Sequence, residues 1–299
     1  MEASVPEVDF EKLSEGEELK KLREACEKYG ILRVINHPIP ETLMIEMKSV
    51  VKFMHDLPLE IKMRNKSIIP DSGYIPPHPS SPLYEAMAIY DFHKSPQALE
   101  DFFSQLDLPP HYRKIVKSYG KAIHELASNI AKEMGKSLGI EDVDFKDWPF
   151  ILRSIKYNFS PENIGEIGVM LHSDTGFITL IQDDETVSGL ELLDDSGLFK
   201  VVTPKPGSLL CIVGDVGRVW SNEKFWNARH RVICNETCTR YSFGVFMLAA
   251  RDGIVEAHPK LAERNDAPRY RPFKYEDLRQ FRIVTGKRNA EVLDQYRIA

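Results

Sequence analysis

Three side chains in this sequence have the types and spacing to hold a metal ion. In the stretch VMLHSDTGFITLIQDD, His172 and Asp174 stand two residues apart at the end of an apolar run that reads as a strand. Alternate side chains of a strand share a face, so an imidazole and a carboxylate placed there can grip one ion. Further along, in ARHRV, His230 opens another such run. Two histidines and one carboxylate occupy one face of an octahedron and leave its other positions open, the donor set suited to non-haem Fe(II) and oxygen chemistry. H-x-D alone, in a chain with nine histidines, also fits a local turn pair; His230 in a β-rich region is what turns the pair toward a metal site.

A second pair follows in TRYSFGVF. Arg240 and Ser242 again lie two apart and hence on one strand face. A guanidinium fork beside a hydroxyl suits a carboxylate. Next to an iron site, a carboxylate clamp suggests a keto-acid cosubstrate. An isolated arginine more commonly sits in a surface ion pair, and that alternative stays open on these residues alone.

These groups need a scaffold, and the hydrophobic pattern supplies one. From about residue 150 short apolar runs alternate with Gly, Pro, Asp and Asn turns, near 151–157, 168–172, 177–182, 190–193, 199–202, 208–213, 216–220, 228–234 and 241–249. Many short strands with turn signals imply a sandwich or barrel. Ahead of them, residues 16–29 read as a helix, 31–35 as a strand and 40–57 as a second helix. A long amphipathic helix spans 111–138, its stripe marked by Ile115, Tyr119, Ala122, Ile123, Leu126, Ile130 and Met134. His124 lies beside that stripe as a packed or surface residue. Residues 66–96, with Pro70, Pro76, Pro77, Pro79 and Pro82, read as a loop ending in a strand. Long loops in compact domains are often functional. The tail returns to helix from about 274. The organisation expected is one domain over 1–299: a helical N-terminal part (1–149), a β core (150–250) and a helical tail (251–299).

The whole chain is consistent with an ordinary globular protein. It has 299 residues, 42% of them hydrophobic and 28% charged, with a formal charge of -6. The acidic balance argues against nucleic acid and anionic membranes as partners. No apolar run reaches the ~18 residues that span a bilayer, and the start MEASVPEVDF lacks the apolar stretch of a signal peptide. A cytoplasmic monomer acting on a small molecule is the expectation. Of four cysteines, Cys26 and Cys211 read as buried thiols; Cys234 and Cys238 lack a second pair at zinc-finger spacing.

In order along the chain stand His172-Ser-Asp174-Thr-Gly176, Pro206-Gly207-Ser208, Gly214-Asp215, Trp220-Ser-Asn222, His230-Arg231-Val232 with Asn235, and Arg240-Tyr-Ser242. With the opening VPEVDF and INHPIP, this set resembles the plant-type iron(II)/2-oxoglutarate-dependent dioxygenases over nearly the whole chain. The resemblance implies a double-stranded β-helix, or jelly roll, flanked by helices. It implies Fe(II) on His172, Asp174 and His230, and 2-oxoglutarate with its distal carboxylate on Arg240 and Ser242, reached also by Tyr157 of RSIKYNF. It implies consumption of O2, decarboxylation of 2-oxoglutarate to succinate and CO2, and in most cases hydroxylation of a substrate C–H bond. Three positions depart from the family pattern: Ile155 replaces an asparagine two before the tyrosine, His37 is followed by Pro38 rather than glycine, and Glu223 replaces a glycine after Trp220.

Within that family the segment NKSIIPDSGYIPPHPSSPLYEAMAIYD is similar to the enzymes that oxidise the auxin indole-3-acetic acid to its oxindole. Asp147-Trp148-Pro149-Phe150 and Gln182-Asp183-Asp184-Glu185 point the same way. A substrate pocket is expected among Tyr74, Ile75, Tyr84, Met87, Phe159 and Phe246, whose aromatic and apolar character suits a planar ring. No arginine or lysine in these segments stands out as a partner for a substrate carboxylate, which keeps an uncharged or cationic substrate open. The alternatives are an alkaloid-type oxygenase that hydroxylates, desaturates or closes rings, and a jelly roll that binds small molecules without catalysis.

Overall fold

The computed structural model describes residues 2–70, 72–249, 253–262, 267–288 and 290–298. The chain enters through β1 (Glu7–Asp9), α1 (Gly16–Lys28), β2 (Ile31–Ile35), α2 (Glu41–His55) and the short α3 (Leu59–Lys62). A loop leads to β3 (Tyr84–Tyr90), followed by α4 (Pro96–Gln105) and the long α5 (Pro110–Ser137). The β-rich part runs through β4 (Phe150–Tyr157), β5 (Ile167–His172), β6 (Ile178–Gln182), β7 (Leu190–Leu193), β8 (Phe199–Val201), β9 (Leu209–Val213), α6 (Asp215–Trp220), β10 (His230–Ile233) and β11 (Arg240–Met247). Among the later elements, α8 (Tyr275–Thr285) follows β12 (Ile254–Val255), α7 (Pro259–Ala262) and β13 (Phe273–Lys274). The expected elements therefore form, with one correction. Residues 216–220, read as a strand, are the helix α6. A short apolar run has no period of its own to distinguish the two, and Asp215 opens a helical turn instead.

Strands β1 to β11 make two facing sheets, the jelly roll that the family resemblance implies, and β12 pairs with β13 apart from them. The larger has the order β1-β2-β9-β6-β11-β4-β3, the smaller β5-β10-β7-β8. All of these pairs are antiparallel except β1 with β2. Each face of the large sheet buries a separate apolar cluster, as period-2 alternation requires. One cluster, with Ile31, Ala86, Ile155, Tyr157, Ile181, Leu210 and Ile212, fills the space between the sheets together with Leu190 and Val232 of the smaller one. The other joins Met87, Leu180, Cys211, Phe243 and Val245 to the apolar stripe of α5 and to α2. Tyr119, Ile123, Leu126 and Ile130 of that stripe are all buried.

The outer face also holds a buried charge network. Lys62 on α3 donates to Glu85 on β3 and to the carbonyl of His55, and the Tyr74 hydroxyl donates to Glu85 at 2.6 Å. This ties the root of the proline-rich loop to the sheet. Burial alone would raise the Glu85 pKa, but the nearby His55 ring and the hydrogen bonds from Lys62 and Tyr74 outweigh it and hold the carboxyl at about 2.

Two of the family departures take on a physical form here. Asn222 and Glu223 have φ of 53° and 65°, a left-handed conformation that glycine adopts without strain and other residues do not. Glu223 is clamped in it by Arg218, by the Tyr270 hydroxyl at 2.6 Å and by Arg297 at 2.6 Å. The second departure, Ile155, joins the cluster between the sheets.

Removing one member of a buried ion pair strands the other. Glu85→Ala is expected to destabilise the protein by about 3 kcal/mol at neutral pH, read as denaturant unfolding. The Glu85 pKa is depressed, so its contribution is complete above the ordinary value of 4.5 and fades as pH falls toward about 2. The gap between wild type and variant should therefore narrow below about pH 4.5.

Candidate metal and cosubstrate site

Register brings the three metal-site candidates together. In the antiparallel pairing of β5 with β10, His172 stands opposite His230, and their rings lie 4.2 Å apart between centroids. Asp174 follows β5 by two residues. One donor atom from each of the three lies within 4.8 Å of the others, and no other such trio of His, Cys, Asp or Glu occurs among the described residues. Cys234 and Cys238 form no metal half-site; Cys234 is buried and Cys238 exposed.

The surrounding hydrogen bonds select which atoms face an ion. Nδ1 of His172 lies 2.9 Å from the Met170 carbonyl, and Nδ1 of His230 lies 3.2 Å from that of Ala228. A carbonyl only accepts, so each Nδ1 carries the proton and each Nε2 keeps its lone pair for a ligand bond. Burial, then the neighbouring His230, pushes the His172 pKa down to about 3. The imidazole is thus neutral, as metal binding demands. Thr179 donates at 2.6 Å to Oδ2 of Asp174 and leaves Oδ1 toward the imidazoles. Burial would raise the Asp174 pKa, but His230, His172 and Thr179 more than offset it. Two imidazole nitrogens and an ionised carboxylate match Fe(II) in donor type.

The motif residues around this trio hold its loop. Arg282 on α8 donates to the Ser173 carbonyl at 3.0 Å and to Oδ2 of Asp215 at 3.1 Å, while Asn227 donates to Oδ1 of Asp215 at 2.6 Å. Gly176 and Gly214 touch back to back: a Cβ on Gly214 would come within 2.2 Å of the Gly176 carbonyl oxygen. The HxDTG and GD motifs are therefore one packed unit.

All three candidates open onto a cavity of about 540 Å³ between the sheets. Arg240, Ser242 and Tyr157 line the same cavity. Tyr157 opposes Arg240 in the pairing of β4 with β11, and the guanidinium carbon lies 5.0 Å from the phenol ring centre. Burial pushes the Tyr157 phenol well up, with Arg240 and Ser242 acting against it, so it remains a hydroxyl. Arg240 is not in a surface pair; it is 1% exposed and its Nη2 donates to Asp183.

Of the expected substrate-pocket residues, Ile75, Tyr84 and Phe246 line the cavity. The other three do not. Met87 points to the outer face, among Met47, Met54 and Phe102, because it is out of phase with Tyr84 on β3. The Tyr74 hydroxyl is taken by Glu85. Phe159 packs on Tyr157, 5.6 Å between centroids, behind the cavity wall. Sequence reading also missed Arg153. It lines the cavity from β4, its guanidinium carbon 5.0 Å from the centre of the Phe246 ring. Its parity with Tyr157, four residues on, was the available signal. Ile155 lies between them on the same inner row. At the mouth stand Pro76 and His78 of the loop and Tyr275, Arg279 and Ile283 of α8. Arg279 donates to the Pro70 carbonyl at 2.8 Å and joins the two rims.

A jelly roll with a two-histidine, one-carboxylate face and a buried arginine in one cavity defines a non-haem iron, keto-acid-dependent oxygenase. Comparison with known proteins agrees. Residues 149–249 match the 2OG-Fe(II) oxygenase superfamily, and residues 5–110 match the N-terminal region of a non-haem dioxygenase in morphine synthesis. The chain is 42% identical to a 2-oxoglutarate-dependent dioxygenase DAO of Oryza sativa subsp. indica, over 97% of each chain. The crystal structure of the rice dioxygenase for auxin oxidation superposes with a TM-score of 0.91 at 41% identity, covering 99% of this chain and 100% of that one. The Arabidopsis thaliana dioxygenase for auxin oxidation 1, in its 2-oxoglutarate binary complex, gives a TM-score of 0.84 at 40% identity, covering 88% and 99%. The chain belongs to the 2OG-Fe(II) oxygenase superfamily and is a 2-oxoglutarate-dependent dioxygenase, with Fe(II) and 2-oxoglutarate as its cofactor and cosubstrate. No helix among the described residues is long and apolar enough to cross a membrane.

The hydrogen bond from Thr179 orients a proposed metal ligand without touching the ion. Thr179→Val is expected to weaken divalent-metal affinity about 10-fold or more, measured by titrating the apoprotein with Mn(II) or Fe(II). Unchanged affinity would remove Thr179 from that role.

Proposed function

We propose that His172, Asp174 and His230 hold Fe(II), that Arg240, Ser242 and Tyr157 receive the distal carboxylate of 2-oxoglutarate, and that the remaining cavity takes indole-3-acetic acid for oxidation to its 2-oxindole. The observation that carries this is that the trio, the arginine clamp and an apolar wall open onto one cavity. The whole-length similarity to dioxygenases named for auxin oxidation supports the choice of substrate.

The chain's own residues have four tasks. The trio leaves positions open on its far side for the cosubstrate, as a three-residue face does. Arg240 and Ser242 anchor the keto acid at one end, which sets its orientation toward the trio. Tyr84, Ile151, Ile155 and Phe246 give a planar ring an apolar bed. Arg153, seated against Phe246, provides a cation for the side-chain carboxylate of an arylacetic acid. That placement favours an anionic substrate over a cationic alkaloid. The loop and α8, joined by Arg279, exclude water from the mouth. When bound, Fe(II) and 2-oxoglutarate supply the oxidising chemistry: one atom of O2 enters succinate as CO2 is lost, and the other enters a substrate C–H bond. No side chain is required as acid or base for that step.

The test is turnover. Purified protein with Fe(II), 2-oxoglutarate and indole-3-acetate is expected to release succinate in proportion to a product with one added oxygen, both followed by mass spectrometry. Succinate release that no indole or alkaloid stimulates, after iron reconstitution, would overturn the substrate assignment. Asp174→Ala should abolish both iron binding and turnover. Arg153→Met should raise KM for indole-3-acetate about 10-fold while leaving KM for 2-oxoglutarate unchanged. With indole-3-acetamide, which lacks the charge, variant and wild type should behave alike.

A further inference from the structure

Asp183 has no part in the chemistry described so far, yet it stands at its foundation. It follows β6 directly and continues the inward row of Thr179 and Ile181, both of which line the cavity. An ionisable group at such a position is costly unless paired. Asp183 is 9% exposed, and its Oδ1 accepts from Nη2 of Arg240. The charge of Arg33, on β2, favours its ionised form from a distance, without a hydrogen bond between the two. Arg33 is buried too, and donates to the Ser208 hydroxyl at 2.9 Å and to the Thr203 carbonyl at 2.7 Å. That explains the Pro206-Gly207-Ser208 motif: Gly207, at φ +67°, turns the chain so that Ser208 meets Arg33.

Three buried charged groups thus share this region, Arg33 and Arg240 positive and Asp183 negative, with Asp183 paired to Arg240. Arg240 keeps Nε and Nη1 buried and without a hydrogen-bond partner among the described residues. A buried guanidinium with spare donors and a surplus positive charge is arranged for one more carboxylate. Asp183 occupies Nη2 alone, so it does not fill the place of that carboxylate.

We propose that Asp183 is a positioning residue for 2-oxoglutarate: it holds the Arg240 guanidinium by Nη2 and reserves Nε and Nη1 for the distal carboxylate of the cosubstrate. This rests on the assignment of Arg240 to that carboxylate. It requires that Asp183 matter only to keto acids that have a distal carboxylate, and only while Arg240 is present.

The experiment is a calorimetric cycle on the full chain loaded with Mn(II), titrated with 2-oxoglutarate and with 2-oxopentanoate, which has the same length and no distal carboxylate. Asp183→Asn is expected to weaken 2-oxoglutarate roughly 10-fold and to leave 2-oxopentanoate unchanged. In an Arg240→Met background the same substitution should change 2-oxoglutarate binding by less than about twofold. Tighter or unchanged 2-oxoglutarate binding by Asp183→Asn, or equal weakening of both keto acids, would overturn the proposal. If Arg240→Met itself binds 2-oxoglutarate like the wild type, it is the assignment of Arg240 that fails. Should Asp183→Asn not fold, Asp183→Glu keeps the charge but moves the carboxylate by one methylene relative to Nη2 of Arg240; it should weaken 2-oxoglutarate severalfold and spare 2-oxopentanoate, and no change would sink the idea.

Discussion

The antiparallel pairing of β5 with β10 is the constraint on which the rest of this site depends. A metal face needs donors within a few ångströms, and His172 and His230 are far apart in the chain. Opposed positions on neighbouring strands are the cheapest way to bring them together, because the ladder hydrogen bonds that set the register also stabilise the sheet. A slip of one residue would send one imidazole to the other face. The irregular register next to His230 falls where the strand leaves regular pairing to meet the metal site, a common place for bulges.

The large sheet divides its two faces between stability and chemistry. Its outer face packs on α2 and α5 and is closed by apolar residues and the Glu85 network. Its inner face carries Arg153, Tyr157, Thr179, Asp183, Arg240 and Ser242, polar groups that a core would normally exclude. They are tolerable because nearly all are paired: Thr179 with Asp174, Asp183 with Arg240, Arg33 with Ser208. Among the atoms without a hydrogen-bond partner are Nε and Nη1 of Arg240, the groups proposed to receive a ligand. A fold at ordinary stability can carry such an internal polar row only when the opposite face supplies a full apolar core.

The C-terminal helix α8 is part of the site rather than an appendage. Arg282 reaches the Ser173 carbonyl and Asp215, Tyr275 meets Thr175 at 3.0 Å, and Arg279 meets Pro70. One helix therefore braces the turn between His172 and Asp174 and also lines the cavity. Similar bracing explains Glu223: a residue that would be strained at a positive φ is held by three partners instead of being replaced by glycine.

Much of this was legible in the sequence. Period-2 alternation and turn residues announced the strands, the three-and-four spacing announced α5, and the residue types at 172, 174, 230, 240 and 242 announced a metal face and a carboxylate clamp. These are local properties, set by backbone geometry and donor chemistry. The substrate wall was not legible to the same degree. Ile75, Tyr84 and Phe246 reach the cavity while Tyr74, Met87 and Phe159 do not, because phase on a strand and competition from a buried carboxylate decide where an aromatic or apolar side chain points. Arg153 looked like any strand arginine until β4 was seated between β3 and β11. Asp183 looked like part of an acidic turn until β6 placed it against Arg240. The sequence by itself determined which groups the protein owns and the class of chemistry they can do. Only tertiary structure decided which groups face one another, because pairing between strands remote in the chain fixes position, and no local pattern encodes it.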